Sequence, residues 1–183
     1  MRWEIDPNHS TVTIGAKHMM IATVRGSIRV TSGWIEFDEN DPERGHVEVE
    51  IDAASVNTGV EARDADMRSE RLLDVARHPT ITFKSTAVER RDERRARVVG
   101  DLTLRGTTRR VVLESEFQGS GKSPWGDERI AFSATTTIDR RDFGMVWNAA
   151  LETGGVLVGN DLKVDIEVEA KVATGFPKEK ESA

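Results

Sequence analysis

Apolar and polar residues alternate strictly along most of this chain. In residues 46–52 (HVEVEID) the valines and the isoleucine alternate with acidic and polar residues, and in residues 162–172 (LKVDIEVEAKV) every second residue is apolar. Such alternation is typical of β-strands with one buried face and one solvated face. It recurs often enough to predict eight to ten strands, with further runs at residues 11–15, 27–38, 80–84, 101–105, 109–117 and 129–139.

Short connections predict that neighbouring strands are antiparallel. The dipeptide Gly106-Thr107 favours a two-residue type II′ hairpin, and the apolar parity of residues 27–38 changes at Ser32-Gly33, which indicates a tight turn or a β-bulge. So many strands in one small domain form either a sandwich or a closed barrel. We favour an all-β fold, an extended antiparallel β-barrel, because closure leaves no exposed sheet edges.

Residues 58–83 (TGVEARDADMRSERLLDVARHPTITF) depart from this pattern. Thr58 and Glu61 have the spacing of a capping box, and Pro79 ends a helix by forcing His78 into an extended conformation. The sequence therefore predicts one amphipathic helix at about residues 59–76, with only short helical turns elsewhere. Its core-facing stripe would be Ala62, Ala65, Ser69, Leu72, Leu73 and Ala76.

The same helix carries four closely spaced charges, Arg63, Asp64, Asp66 and Arg68. They would form a catalytic cluster, an anion-binding clamp or a solvated face. Charge pairs on a helix are most often surface salt bridges that contribute little. Arg68 and Asp66 flank the apolar stripe, so these two are best placed to reach the interior of the fold.

Composition and net charge limit the classes of protein to which this chain can belong. The 183 residues suit one domain, which we place at residues 1–173, followed by a disordered tail at residues 174–183. A net charge of −6 gives no field that would recruit nucleic acid. The chain has no cysteine, no apolar segment long enough to span a membrane and no signal-peptide pattern, so we expect a cytoplasmic protein. Its four histidines lack metal-ligand spacing, and we predict no metal and no cofactor.

Several ordered segments resemble the YceI-like family. They are WEIDPNHS (3–10), KHMM and VRG (17–26), RDADMRS (63–69), HPTITF (78–83), GDLTLRG (100–106), RRDFGM (140–145) and VGNDLKVDIEVEA (158–170). The resemblance spans about residues 3–172 and implies a lipocalin-like barrel around an apolar tunnel, association with polyisoprenoids, and a homodimer. The chain departs from the family at Asp66, where histidine is usual, at Leu72 and Leu73, where aromatic residues are common, and at His78, where tyrosine is common.

We therefore expect the interior to bind a long-chain apolar ligand such as a polyisoprenoid or isoprenoid quinone. The tunnel lining would comprise Val12, Ile14, Ile28, Val30, Val49, Ile51, Leu72, Phe83, Leu102, Leu104, Phe132, Ala134, Phe143, Val164 and Ile166. The head group would lie at a tunnel mouth formed by His18, Arg63, Asp66, Arg68 and Arg141. Two alternatives remain, a structural or stress-related barrel without ligand and an isomerase or cyclase that acts on a buried lipid.

Overall fold

A computed structural model describes residues 1–173, so the predicted tail at 174–183 lies outside the described residues. Within the described residues, nine strands form one antiparallel sheet. Their bounds are β1 Arg2–Ile5, β2 Thr11–His18, β3 Ala22–Glu36, β4 His46–Asn57, β5 Thr80–Arg90, β6 Arg95–Leu104, β7 Thr107–Lys122, β8 Glu128–Asp139 and β9 Asp161–Val172. Over residues 1–173 there is one α-helix, α1, at Glu61–Arg68, and short 3-10 helices occupy Pro7–His9, Pro42–Arg44 and Arg140–Phe143.

The sheet closes into a barrel, which confirms the predicted fold. Strands β2 to β9 follow one another around the barrel, and β2 closes it by pairing with both β3 and β9. Strand β1 also lies between β3 and β9, so β1 and β2 share one of eight strand positions. Every strand is paired on both sides, and the inward residues of the alternating runs face a common interior.

The parity change in β3 is a β-bulge and not a turn. The register between β3 and β4 shifts between Val30 and Ser32, while the strand continues to Glu36. A side chain at Gly33 would lie 2.7 Å from the carbonyl oxygen of Glu48 and 2.8 Å from the Ile5 side chain, so glycine allows this close approach. The hairpin between β6 and β7 differs from the prediction. Its central residues are Arg105 (φ 50°) and Gly106 (φ 70°), a type I′ arrangement, because Thr107 already pairs with Leu104.

The helix is shorter than predicted and begins differently. Thr58 does not cap it, since its N–H and hydroxyl donate to Oδ1 of the buried Asp64 at 2.8 and 2.6 Å. The helix ends when Ser69 takes an extended conformation (φ −68°, ψ 165°). Residues 70–77 continue as turns instead, in which Leu73 enters the core and its N–H donates to the Met67 carbonyl at 3.0 Å.

The two ends of the barrel differ. We call the end that carries α1, the 70–77 turns, the 105–106 hairpin and the 140–160 segment the helix end. We call the other end, with the β3–β4 connection (37–45) and the β5–β6 turn (91–94), the hairpin end. The helix end is filled by buried side chains, among them Ile28, Val56, Leu73, Leu104, Ile138, Phe143 and Met145. None of the helices within residues 1–173 is long and apolar enough to cross a membrane.

Candidate functional site

The barrel encloses an apolar cavity of about 210 Å³. Many inward side chains, such as Val49, Phe132, Ile166 and Val168, are only partly buried, because they border this space. Apolar cavities of about 150 Å³ stay dry and admit small hydrocarbons. Within residues 1–173, Ser115 and Thr136 are the uncharged polar residues that line the cavity, and the charged or titratable lining residues lie at the hairpin end. The cavity therefore suits a section of hydrocarbon chain, which would lie in a dry, apolar environment with few groups for hydrogen bonding.

Three phenylalanine rings meet where the cavity approaches the hairpin end. Phe37 follows β3, Phe117 lies on β7 and Phe132 lies on β8. The centroid of Phe37 lies 5.0 Å from each of the other two, which are 5.3 Å apart. All three rings line the cavity. Such a cluster presents large apolar faces to whatever passes between the surface and the interior.

Two-thirds of the residues predicted to line the interior border this cavity. They are Val12, Val30, Val49, Ile51, Phe83, Leu102, Phe132, Ala134, Val164 and Ile166. The other five, Ile14, Ile28, Leu72, Leu104 and Phe143, pack in the core instead. Phe37, Phe117 and Val168 also line the cavity but were missing from the prediction. The alternation in β7 and β9 could have indicated Phe117 and Val168, whereas Phe37 lies beyond its strand and gave no such signal.

The five residues predicted at a tunnel mouth belong to the helix end, and none of them borders the cavity. His18 is exposed at the end of β2. The other four have local partners: Arg63 donates to the Thr58 hydroxyl at 2.7 Å, Arg68 pairs with Glu61 at 2.7 Å, Asp66 pairs with Arg71, and Arg141 pairs with Asp139. Their role in binding a head group stays a prediction.

The Asp139–Arg141 pair predicts a pH dependence of stability. Hydrogen bonds from the Arg141 side chain and from its backbone N–H (2.9 Å) hold the pKa of Asp139 at about 2. Because this pKa is lowered on folding, the stabilisation is complete above the ordinary aspartate pKa of about 3.9 and is lost as the pH falls towards 2. The thermal midpoint of Asp139→Asn should lie below that of the native protein at pH 7, and the difference should vanish near pH 2.

The control for that measurement is Asp142→Asn, an exposed neighbour in the same turn. Its midpoint should follow that of the native protein at every pH. A difference between Asp139→Asn and the native protein that persists unchanged down to pH 2 would show that ionised Asp139 does not stabilise the fold.

Arg140, the neighbour of Arg141, is a buried cation with a structural role. Its side chain is 2% exposed. It donates to the backbone carbonyls of Met145, Trp147 (2.9 Å), Val158 (3.4 Å) and Gly159 (2.9 Å) and to Oδ1 of Asn160 (3.4 Å). Burial lowers its pKa, and Asp139 opposes that effect. Arg140 thus holds the 144–160 segment across the helix end. The spacing of residues in the sequence could not indicate this role of Arg140.

A row of polar side chains at the hairpin end has the residue types of a catalytic triad. Ser85 Oγ lies 3.0 Å from Nδ1 of His46, whose Nε2 lies 3.2 Å from Oε1 of Glu48. Ser85 is 3% exposed, and its Oγ also accepts the Val47 N–H at 2.9 Å, replacing a ladder bond beyond the last β4–β5 pair. Lys84 pairs with Glu48 at 2.8 Å, and the pKa of Glu48 is lowered mainly by that contact. The serine therefore completes the sheet and is not presented to a substrate.

A second cluster brings metal-ligand side chains together on the outer surface. Ligand atoms of Asp6, His9 and Glu169 lie within 4.8 Å of one another. The guanidinium of Arg129 donates to Asp6 at 3.1 Å and to Glu169, and its Nε donates to Asp127 at 2.7 Å. These carboxylates raise the pKa of Arg129. A cation of the chain itself thus already pairs with both carboxylates of the cluster, and this contact ties the residue after β1 to β8 and β9.

Barrel and cavity together define a lipocalin-like protein with an apolar interior. The chain belongs to the YceI-like family, since the sequence profile of the YceI-like domain matches residues 3–170. It is 38% identical over 137 residues to a UPF0312 protein of Pseudomonas savastanoi pv. phaseolicola, covering 75% of this chain and 71% of that one.

Two solved structures share the fold. The YCEI protein of Campylobacter jejuni is 31% identical, with a TM-score of 0.73 over 86% of this chain and 90% of that one. A polyisoprenoid binding domain from Saccharophagus degradans is 16% identical, with a TM-score of 0.70 over 93% of this chain and 98% of that one. The second likeness supports the fold alone.

Proposed function

We propose that the protein binds a long-chain apolar ligand, with part of the chain inside the barrel and the head group at the hairpin end. The observation that carries this proposal is the apolar cavity, whose inward side chains are left partly accessible in an otherwise packed barrel. A ligand-free structural barrel would gain stability by filling that space. An isoprenoid is the first ligand to test, because the Saccharophagus protein of the same fold is named as a polyisoprenoid binding domain.

The energetics favour such a ligand. Each methylene-sized group removed from water contributes about 0.8 kcal/mol. Two isoprene units, with roughly ten carbons, would thus outweigh the several kcal/mol lost on immobilising a flexible chain. A cavity of about 210 Å³ accepts one section of a polyprenyl chain. A longer stretch would require the rings of Phe37, Phe117 and Phe132 to turn aside.

The head group is assigned to the hairpin end for a geometrical reason. Exposed residues of the 37–45 connection and the 91–94 turn border the cavity, whereas the residues of the helix end pack tightly together. This proposal is an alternative to the sequence-based prediction that the head group lies near the 58–77 segment, His18 and the RRDFG turn. Carriage, storage or protection of the lipid, a cytoplasmic location and a homodimer are further predictions from the sequence and the family.

Mass spectrometry of an organic extract of the purified protein tests the proposal. We expect a long-chain isoprenoid or related lipid in an amount comparable to that of the protein. A neutral apolar dye whose fluorescence rises in a dry environment, such as N-phenyl-1-naphthylamine, should also bind and be displaced by the extracted lipid. Empty extracts after gentle purification, together with no dye binding, would favour a structural barrel instead.

A further inference from the structure

Two hydroxyl groups interrupt the apolar wall of the cavity. Ser115 lies on β7 and Thr136 lies on β8, and both residues border the cavity. Their side chains point inward, because the residues two positions away on each strand, such as Leu113 and Ala134, border the cavity as well. Both residues are only partly buried, so these side chains are accessible from the cavity.

Within the described part of the chain, neither hydroxyl has a hydrogen-bond partner. The side chains of Ser115 and Thr136 bond neither to the backbone nor to another side chain, and neither hydroxyl is sealed inside the wall. Ser85 differs, because its buried Oγ accepts the Val47 N–H at 2.9 Å. An unpaired hydroxyl in a dry, apolar space costs free energy, whereas alanine or valine in the same place would carry no such cost.

The two hydroxyls lie close enough to bind one group of a ligand. Ser115 pairs across the strands with Ala134, which lies two residues before Thr136, so the two positions are diagonal neighbours on the inner wall. Such neighbours lie about 7–8 Å apart, and less between their side chains, so an oxygen between them can reach both. The residues beside Ser115 on β6 and β8, Ala96 and Ala134, are too small to cover its hydroxyl.

The hydroxyls also lie deeper in the barrel than the phenylalanine cluster. Phe117 pairs with Phe132 at the next inward position towards the hairpin end. Ser115 lies one inward position beyond this pair, about 7 Å along the strand, and Thr136 lies two inward positions beyond it. A group bonded to these hydroxyls therefore belongs to the part of the ligand inside the barrel and not to a head group at the hairpin end.

We propose that the section of the ligand inside the barrel carries an uncharged oxygen group, a carbonyl or a hydroxyl, that hydrogen-bonds to Ser115 and Thr136. The inference rests on the proposed binding of an apolar chain in the cavity and adds one polar group to that chain. A purely hydrocarbon section would leave both hydroxyls unpaired. A charged group would lose its hydration here and gain only two neutral partners. A water molecule would likewise find only these two partners, whereas buried waters usually make about three hydrogen bonds.

Octan-4-one and octane test this oxygen site. Each is titrated below its solubility limit against dye-loaded protein, with N-phenyl-1-naphthylamine as the dye. The native protein is compared with Ser115→Ala/Thr136→Val, which removes both hydroxyls at nearly constant shape. We expect the dissociation constant of octan-4-one to rise about tenfold in the variant, as the loss of one or two neutral hydrogen bonds predicts. The dissociation constant of octane should stay the same or fall.

Two further measurements separate ligand binding from a structural role of the hydroxyls. The C=O stretching band of bound octan-4-one should lie at a lower wavenumber in the native protein than in the variant, because a hydrogen bond weakens the C=O bond. The thermal midpoint of the ligand-free variant should equal or exceed the native value, since no partner is lost. The matched control, Ser120→Ala/Thr135→Val, removes exposed hydroxyls of the same two strands that do not border the cavity, and it should behave like the native protein throughout.

The outcomes distinguish the two proposals. If neither the dye nor either eight-carbon probe binds, the proposed function itself is wrong. If both probes displace the dye but octan-4-one binds the native protein and the variant equally, with the same C=O band, apolar binding stands and the oxygen group is rejected. A lower thermal midpoint of the ligand-free variant would show that the hydroxyls have partners in the protein, and this result would also overturn the oxygen site.

Discussion

Replacing Phe132 with glutamate should abolish the uptake of apolar ligands while leaving the barrel folded. Phe132 lines the cavity and packs against Phe37 and Phe117. A carboxylate at this position must lose its water when a hydrocarbon enters, and burying an unpaired charge costs several kcal/mol. We therefore expect the affinity for N-phenyl-1-naphthylamine to fall by about 100-fold or more. Without ligand the glutamate would draw water into the cavity, which borders exposed residues at the hairpin end.

Two controls separate the loss of binding from a loss of structure. Phe132→Leu keeps the position apolar and should weaken dye binding by less than about tenfold, the effect of a smaller apolar contact. Thr137→Glu adds the same charge to an exposed position of β8, opposite Lys163, and should bind dye like the native protein. If folded Phe132→Glu retained its full dye affinity and its full lipid content, the cavity would not be the binding site.

The strands and their inward faces could be predicted because period-two alternation is a local property of the chain. It favoured the barrel, indicated a turn or bulge at Ser32-Gly33, and predicted inward residues that border the cavity, including Val49, Phe83 and Ile166. The alternation could not show the position of each inward residue along the barrel axis. Leu104 and Phe143 were expected in the tunnel lining, yet they belong to the packed helix end.

The ends of the barrel were harder to predict, since their structure depends on contacts between distant segments. The apparent capping box failed because Thr58 donates to Asp64, a residue that becomes buried only when the helix packs on the barrel. The charges of α1 looked suited to a head group, but Arg68 is held by Glu61 and Asp66 by Arg71. Conversely, the fold places part of the acidic 38–43 connection beside the cavity, and no local pattern of the sequence indicates this position.

Replacing Arg140 with methionine should lower the free energy of unfolding by about 3–5 kcal/mol, the usual cost of removing one partner from a buried charged network. Methionine fills similar space but leaves the carbonyls of Met145, Trp147 and Gly159 without the Arg140 donor that now satisfies them. Lysine should not rescue the loss, because its single ammonium cannot reach acceptors spread around a planar guanidinium. Urea denaturation measures the change, with Arg141→Met as the exposed neighbouring control, which should unfold near the native midpoint.

The same variant also distinguishes the two ends of the barrel. Arg140 does not border the cavity. If ligands reach the cavity from the hairpin end, the Arg140→Met variant should therefore bind N-phenyl-1-naphthylamine with the native dissociation constant. The measurement is made at a low temperature at which the variant is still folded. A higher dissociation constant in the folded variant would instead place part of the binding site at the helix end, where the sequence predicted the head group. A native urea midpoint for Arg140→Met would contradict the structural role of Arg140 itself, since five acceptors would then have lost their donor without cost.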